Sequence, residues 1–326
     1  MLNIHVATQR GLELVQDAGS LTQLPADAVW IDLMNPTQDD ETRVEGWLDI
    51  DVPTREEMRE IEVSSRLYEE DGAIYMTVAS LLKADTDNPA LTDVTFILVG
   101  KQLVTVRHAE PLPFTLYLQR APRIGAACQR GDQVLLGLVE AIIDRVADVL
   151  EHAGLDADRI GDDVFVEERK KPMTTTELKR ILGRIARIGD LTSKSRESLV
   201  SIARLLMFLS TGPGAVKLSK EAKLHQKTAL RDANQLADHS TYLANKAEFL
   251  LDATMGLINI EQTNIIKIFS VAATALMPPT MIASIYGMNF KFMPELDEQW
   301  GYPVSLAVMI LSALAPFVFF KRKGWL

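Results

Sequence analysis

Cysteine is almost missing from this chain. Cys128 is the single one among 326 residues, which excludes an internal disulfide and any zinc site built from several thiolates. Histidine is scarce as well, five in all. His225 and His239 share a helix face but lie roughly 21 Å apart at 1.5 Å per residue, too far to hold one ion. Positive charge is in the minority, with 34 Lys and Arg against 44 Asp and Glu for a net charge of -10. That balance argues against nucleic acid, whose binding needs a basic surface, and is compatible with handling cations. The chain has no Gly-rich phosphate loop ending in Lys-Ser/Thr and no nucleophile elbow, so no enzymatic activity is expected. No signal peptide is expected either, because residues 1–11 alternate polar and apolar side chains.

What the chain does have is a pair of uncharged apolar runs near its end, residues 268–286 and 301–320. A run of about twenty such residues spans a hydrocarbon core about 30 Å thick. Buried helices of a soluble core would carry polar residues on a solvent face, and neither run does. Pro278 and Pro279 lie inside the first run, which membrane helices tolerate. Lys321-Arg322-Lys323 after the second run places the C-terminus in the cytoplasm by the positive-inside rule. The connector, with Lys291 against Glu295, Asp297 and Glu298, then lies outside, and the N-terminal part returns to the cytoplasm. Tyr286, Trp300 and Tyr302 suit an aromatic belt at the outer interface, and Trp325 suits the inner one.

The remaining residues, about 260 of them, are enough for one or two globular domains. Residues 29–33, 73–78, 94–99 and 103–107 read as strands, the last two joined through Gly100-Lys101-Gln102 as a hairpin. Thr54 with Glu57 three residues on predicts a short capped helix over 54–62. From about residue 132 the pattern turns helical: 132–168, 176–210, and 219 onward into the first span. Thr174-Thr175-Thr176-Glu177 and Thr211-Gly212-Pro213-Gly214 divide these stretches. The fold class expected is an α+β membrane protein, with an N-terminal cytoplasmic α/β domain, a long α-helical funnel or stalk and two C-terminal transmembrane helices. Its divisions are 1–130, 131–217, a stalk at 218–286 that enters the membrane at about 266, an outer loop at 287–300, the second span at 301–320 and a tail at 321–326.

In the stalk, Leu236, Leu243, Leu250 and Leu257 recur every seven residues beside a small column of Ala233, Ser240, Ala247 and Thr254. A seven-residue repeat specifies helix on helix. The preceding helix explains the leucines, and the small column points to a second partner, such as the same helix of another subunit. In the first span, Ser270, Ala273, Met277, Thr280 and Ser284 fall on one face. That face is either a pore lining or a small-residue packing face. Two spans cannot enclose a pore alone, so conduction would require several copies around an axis.

The connector carries a resemblance. Gly287-Met288-Asn289, then Met293-Pro294-Glu295-Leu296, then Trp300-Gly301-Tyr302-Pro303, with the two spans, the basic tail and the long preceding helix in that order, resemble the CorA family of magnesium channels. The likeness covers residues 255–326 strongly. It implies a homopentamer in the lipid bilayer of a bacterial inner membrane, both termini cytoplasmic. It also implies passive uptake of Mg2+, and of Co2+ or Ni2+, driven by the membrane potential and gated by cytoplasmic Mg2+. Asn289 would ring the outer mouth, with Gly287 supplying backbone freedom, and Glu295 and Asp297 would either steer cations or form a solvated loop. Met277, Thr280, Ile266 and Phe269 would face the pore with Ala273 and Ser284. A polar ring near the cytoplasmic end would fall on Thr263 or Asn264. Regulatory Mg2+ would bind carboxylates between subunits, drawn from Glu56, Glu57, Asp156, Asp158, Asp162, Asp163, Asp232 and Asp252, with Asp232 and Asp252 the first candidates. The rival readings are a zinc transporter of the ZntB-like branch and a membrane-anchored structural or signalling protein.

Overall fold

The computed structural model describes all residues except 10, 87, 125–127, 166–172, 212–217, 290, 292, 295–297 and 325–326. It separates into two compact units, Met1–Glu167 with Lys179–Leu251, and Glu168–Leu178 with Asp252–Leu326.

The first unit is built on a seven-stranded sheet. In chain order the strands are β1 (Leu2–Thr8), β2 (Gly11–Leu14), β3 (Ala28–Met34), β4 (Leu67–Glu70), β5 (Ala73–Leu82), β6 (Ala90–Val99) and β7 (Gln102–Arg107), in the spatial order β2-β1-β3-β7-β6-β5-β4. Neighbours are antiparallel apart from β3 and β7, which run parallel with Asp32 opposite Thr105. The expected β6–β7 hairpin forms, with Val99 opposite Gln102 and Gly100 at a φ of 57° in the turn. β3 is buried on both faces, which is why 29–33 reads as a nearly continuous apolar run. Ile31 and Leu33 join a core with Val104, Val106, Ile97 and Val44, the last from α1 (Gln38–Leu48). Trp30 turns the other way, within ring contact of Phe114 and Tyr117 on α3 (Leu112–Ile124).

Asp32 shares that second face and would be costly there alone. Arg107 meets it with two bonds, Nε to Oδ1 at 2.9 Å and Nη2 to Oδ2 at 2.8 Å, and Thr105 Oγ1 donates at 2.8 Å. Trp30 Nε1 donates to Thr105 Oγ1 at 2.9 Å, so the buried chain of polar groups is satisfied.

The expected helix over 54–62 is not there. Thr54 and Glu57 do cap each other, with Thr54 N to Glu57 Oε2 at 2.8 Å and the reciprocal bond at 3.4 Å. They open one 3-10 turn, Glu57–Arg59, followed by extended backbone at Glu60 and the four-residue α2 (Val63–Arg66). Met58 is the single buried side chain of that turn, too little packing to extend it.

The long helices are α4 (Gly131–Phe165), α5 (Thr175–Thr211) and α6 (Lys220–Tyr286). The leucine column of α6 packs not on the preceding helix α5, as expected, but toward α4: a Cβ added at Gly154 would lie 3.6 Å from Leu243, and one at Gly161 3.8 Å from Leu250. The small column needs a correction, because the chain already buries it. Ala233, Ser240 and Ala247 are 0%, 1% and 4% exposed, and Ser240 Oγ donates to the Thr192 carbonyl of α5 at 2.6 Å. Their close partner is a helix of the same chain.

In the second unit, Thr174 and Glu177 form the expected reciprocal cap of α5. The rest comprises the end of α6 and α7 (Gly301–Arg322), the two helices long and apolar enough to cross a membrane.

Candidate ion pathway

α6 keeps its helical form through Pro278 and Pro279. Over its apolar end, burial falls mainly on one stripe: Val271 and Ala275 are buried, and Lys267, Pro278, Pro279 and Ile282 are half-buried. In α7 the half-buried positions are Gly301, Ser305, Met309, Ser312, Ala313, Pro316 and Phe320, mostly small and spaced largely by three and four. Small residues spaced in this way are the kind that let membrane helices approach closely. The α7 stripe was not anticipated from the sequence, though its small-residue spacing is the signal that would have found it.

Ile266, Phe269, Ala273, Met277, Thr280 and Ser284 lie on the opposite side of α6, all exposed. Ile266, Phe269 and Met277 are 64%, 71% and 70% exposed. An apolar face left uncovered by the helix's own hairpin needs lipid, another copy, or water at a pore. The Thr280 hydroxyl is turned back on the helix, donating to the Leu276 carbonyl at 2.7 Å, and Thr263 does the same to Asn259 at 2.8 Å. Neither hydroxyl proton is free for a ligand, but each oxygen keeps acceptor capacity.

The first apolar helix ends at Tyr286. Gly287 and Met288 continue the last turn by donating to Ala283 and Ile285 carbonyls at 3.0 and 3.2 Å. Gly287 is not among the glycines at positive φ. Its small size is what the turn uses, since a Cβ there would sit 3.2 Å from the Ala283 carbonyl oxygen. Asn289 follows, exposed. Glu295 and Asp297 lie outside the described residues.

The acidic positions divide. Asp156 and Asp163 pair with Arg184, and Asp158 pairs with Lys246. Glu57 caps its turn. Asp232 and Asp252 are exposed and make no ion pair among the described residues. No group of three or more His, Cys, Asp or Glu among the described residues could hold a metal ion within one chain. His225 is spoken for by Glu140 at 3.0 Å, and His239 stacks on Tyr242.

A family model described as CorA-like Mg2+ transporter protein matches residues 25–322. The chain belongs to the CorA family. This is a family of transporters, not of enzymes. The magnesium transport proteins CorA of Salmonella typhimurium and of Escherichia coli K12 are each 36% identical to it over 300 residues, 92% of this chain and 92% of theirs. Among solved structures, the complete CorA magnesium transporter of Methanocaldococcus jannaschii has a TM-score of 0.76 at 18% identity, covering 100% of this chain and 99% of that one. The full-length CmaX protein has a TM-score of 0.66 at 13% identity, over 100% and 98%. The ZntB cytoplasmic domain of Vibrio parahaemolyticus has 0.51 at 11% identity, over 79% and 98%. At these identities the three structures share the fold with this chain.

Proposed function

We propose that this CorA-family chain forms a homopentameric channel that admits Mg2+, and with it Co2+ or Ni2+, across a bacterial inner membrane. The reading rests chiefly on Gly287-Met288-Asn289 standing at the end of a helix whose face away from its hairpin partner is exposed and uncharged from Ile266 to Ser284. Five such faces around an axis line the pore, and Asn289 rings its outer mouth. Both termini are cytoplasmic, as Lys321 to Lys323 require.

Magnesium holds its octahedral water shell tightly and sheds it reluctantly. A ring of Asn289 carbonyl oxygens accepts hydrogen bonds from that shell without stripping it, and holds the ion loosely enough for it to leave. A carboxylate ring would hold a divalent cation too firmly. Glu295 and Asp297 raise the cation concentration at the mouth. Deeper in, Met277, Phe269 and Ile266 form an apolar constriction that closes by dewetting. The driving force is the membrane potential, about 4.6 kcal/mol per 100 mV for two charges.

Gating follows from carboxylates that face each other across subunits. Cytoplasmic Mg2+ bound at Asp232 and Asp252 offsets their repulsion and holds the ring shut.

The experiment is flux into liposomes for Mg2+, Co2+ and Zn2+, with and without an imposed voltage, for the native chain and Asn289→Ala. Voltage-driven Mg2+ influx lost in the variant is the expected result. Zn2+ flux that follows a proton gradient would favour the zinc-transporter reading, and absence of any flux would favour an anchor.

A further inference from the structure

A cavity of about 300 Å³ lies beside the point where β7 leaves the sheet, with Met58, Leu82 and Leu91 as its apolar wall and Arg55, Arg59 and His108 on its polar side. His108 is the first residue after β7, at the carboxyl end of the parallel β3–β7 pair.

Three observations converge there. The His108 Nε2 is buried and has no hydrogen-bond partner, although buried polar atoms are nearly always satisfied. Arg55 and Arg59 are exposed and make no ion pair among the described residues, in a chain with ten more acidic than basic side chains. The one carboxylate that lines the cavity, Asp93, is committed to Arg66 at 2.8 Å, so it does not neutralise them. Burial, then Arg55 and Arg59, hold the His108 imidazole below its ordinary range, as a positive field with no counter-ion should.

We propose that Arg55, Arg59 and His108 form a binding site for a tetrahedral oxyanion, taken either as free phosphate or as a small phosphomonoester. The guanidinium groups supply charge-assisted donors that suit phosphate oxygens, and His108 Nε2–H donates a further bond. The Thr92 hydroxyl also lines the cavity, and the apolar wall leaves room for the organic part of an ester. A bound anion cancels the field of Arg55 and Arg59 on the imidazole, with Asp93 and its partner Arg66 the other charges nearby. Binding therefore takes up a proton at His108 and tightens as pH falls.

The test is calorimetric titration of the full-length protein in detergent with inorganic phosphate and with glycerol 3-phosphate, and with sulfate at pH 6 and pH 8, since sulfate does not titrate there. Saturable binding at one site per chain is expected. Arg55→Gln with Arg59→Gln should weaken it at least about tenfold, the scale of lost charge-assisted bonds, with the melting temperature unchanged because both side chains are exposed. His108→Gln should abolish the tightening of sulfate at the lower pH. Tighter glycerol 3-phosphate than phosphate assigns the site to esters, and equal affinity assigns it to the free ion. No saturable heat, undiminished binding by the double variant, or a change in its oligomeric mass without any anion, which would mean the arginines meet a second copy, overturns the proposal.

Discussion

His5 stacks on Trp30 with ring centroids 4.5 Å apart, beside the buried Asp32–Arg107 pair. Burial holds it at about 4, with Asp32 pulling the value up and Arg107 pushing it down. Because this lies below the ordinary 6.5, the unfolded chain takes up the proton first on acidification. Stability owed to this group is therefore intact above pH 6.5 and erodes as pH falls from 6.5 to 4, by about 3 kcal/mol at 1.36 kcal/mol per pKa unit. His5→Phe keeps a ring on Trp30 and removes the titration. Its melting temperature should fall less than the native one between pH 7.5 and pH 5, and parallel falls would acquit His5. Asp32→Ala is the harsher change, because it leaves Arg107 buried without its counter-charge, at 6% side-chain exposure. A loss of about 3 to 5 kcal/mol is expected, read as a large drop in melting temperature. None of this cluster was visible beforehand. Residues 29–33 and 103–107 read as strands, but their parallel pairing, which sets Asp32 beside Thr105, joins segments over seventy positions apart.

The α6 helix shows what periodicity resolves and what it leaves open. The repeat of seven located two packed columns but not their partners: Leu243 and Leu250, expected on the preceding helix α5, lie beside α4 instead. Spacing alone does not name the partner of a small column, and that partner is α5, through Ser240 and Thr192. Ala247→Leu should then destabilise the chain by about 1 to 3 kcal/mol through overpacking, lowering the melting temperature while the oligomeric mass stays the same. An altered oligomeric mass with unchanged melting would return the column to an intersubunit role. The long helices were legible because each repeats its apolar pattern over thirty residues or more. α1 escaped notice despite its Thr37–Asp40 capping box, since it buries Val44 alone. β2 and β4 are four residues each at the two edges of the sheet, and only pairing stabilises them. In the candidate pathway the face with Ala273, Met277, Thr280 and Ser284 was legible from spacing, whereas Ile266 and Phe269 came from the family resemblance and the buried stripe of Val271 and Ala275 opposite that face was not anticipated.

On the channel reading proposed above, conduction and its control belong to the assembly, because two apolar helices per chain cannot surround water. The channel reading makes the functional particle five times 36.2 kDa, and each copy adds a formal charge of -10. Like-charged copies repel, most strongly within a Debye length. Three of the eight acidic candidates are already closed on Arg184 or Lys246 within the chain, and cannot serve a regulatory ion without breaking those pairs. Asp232 and Asp252 carry no such cost. An ion that binds the closed ring more tightly than the open one shifts the balance by that difference in affinity and by nothing else. Replacing both residues with Lys puts a fixed positive charge where Mg2+ would sit, so the closed state no longer needs the ion and no longer responds to it. In liposomes preloaded with graded Mg2+, native influx should decline as internal Mg2+ rises, while influx through the Asp232→Lys, Asp252→Lys channel should be flat. The level at which it is flat then reports which state the lysines favour. A variant still inhibited over the same range of internal Mg2+ would move the regulatory site elsewhere on the chain.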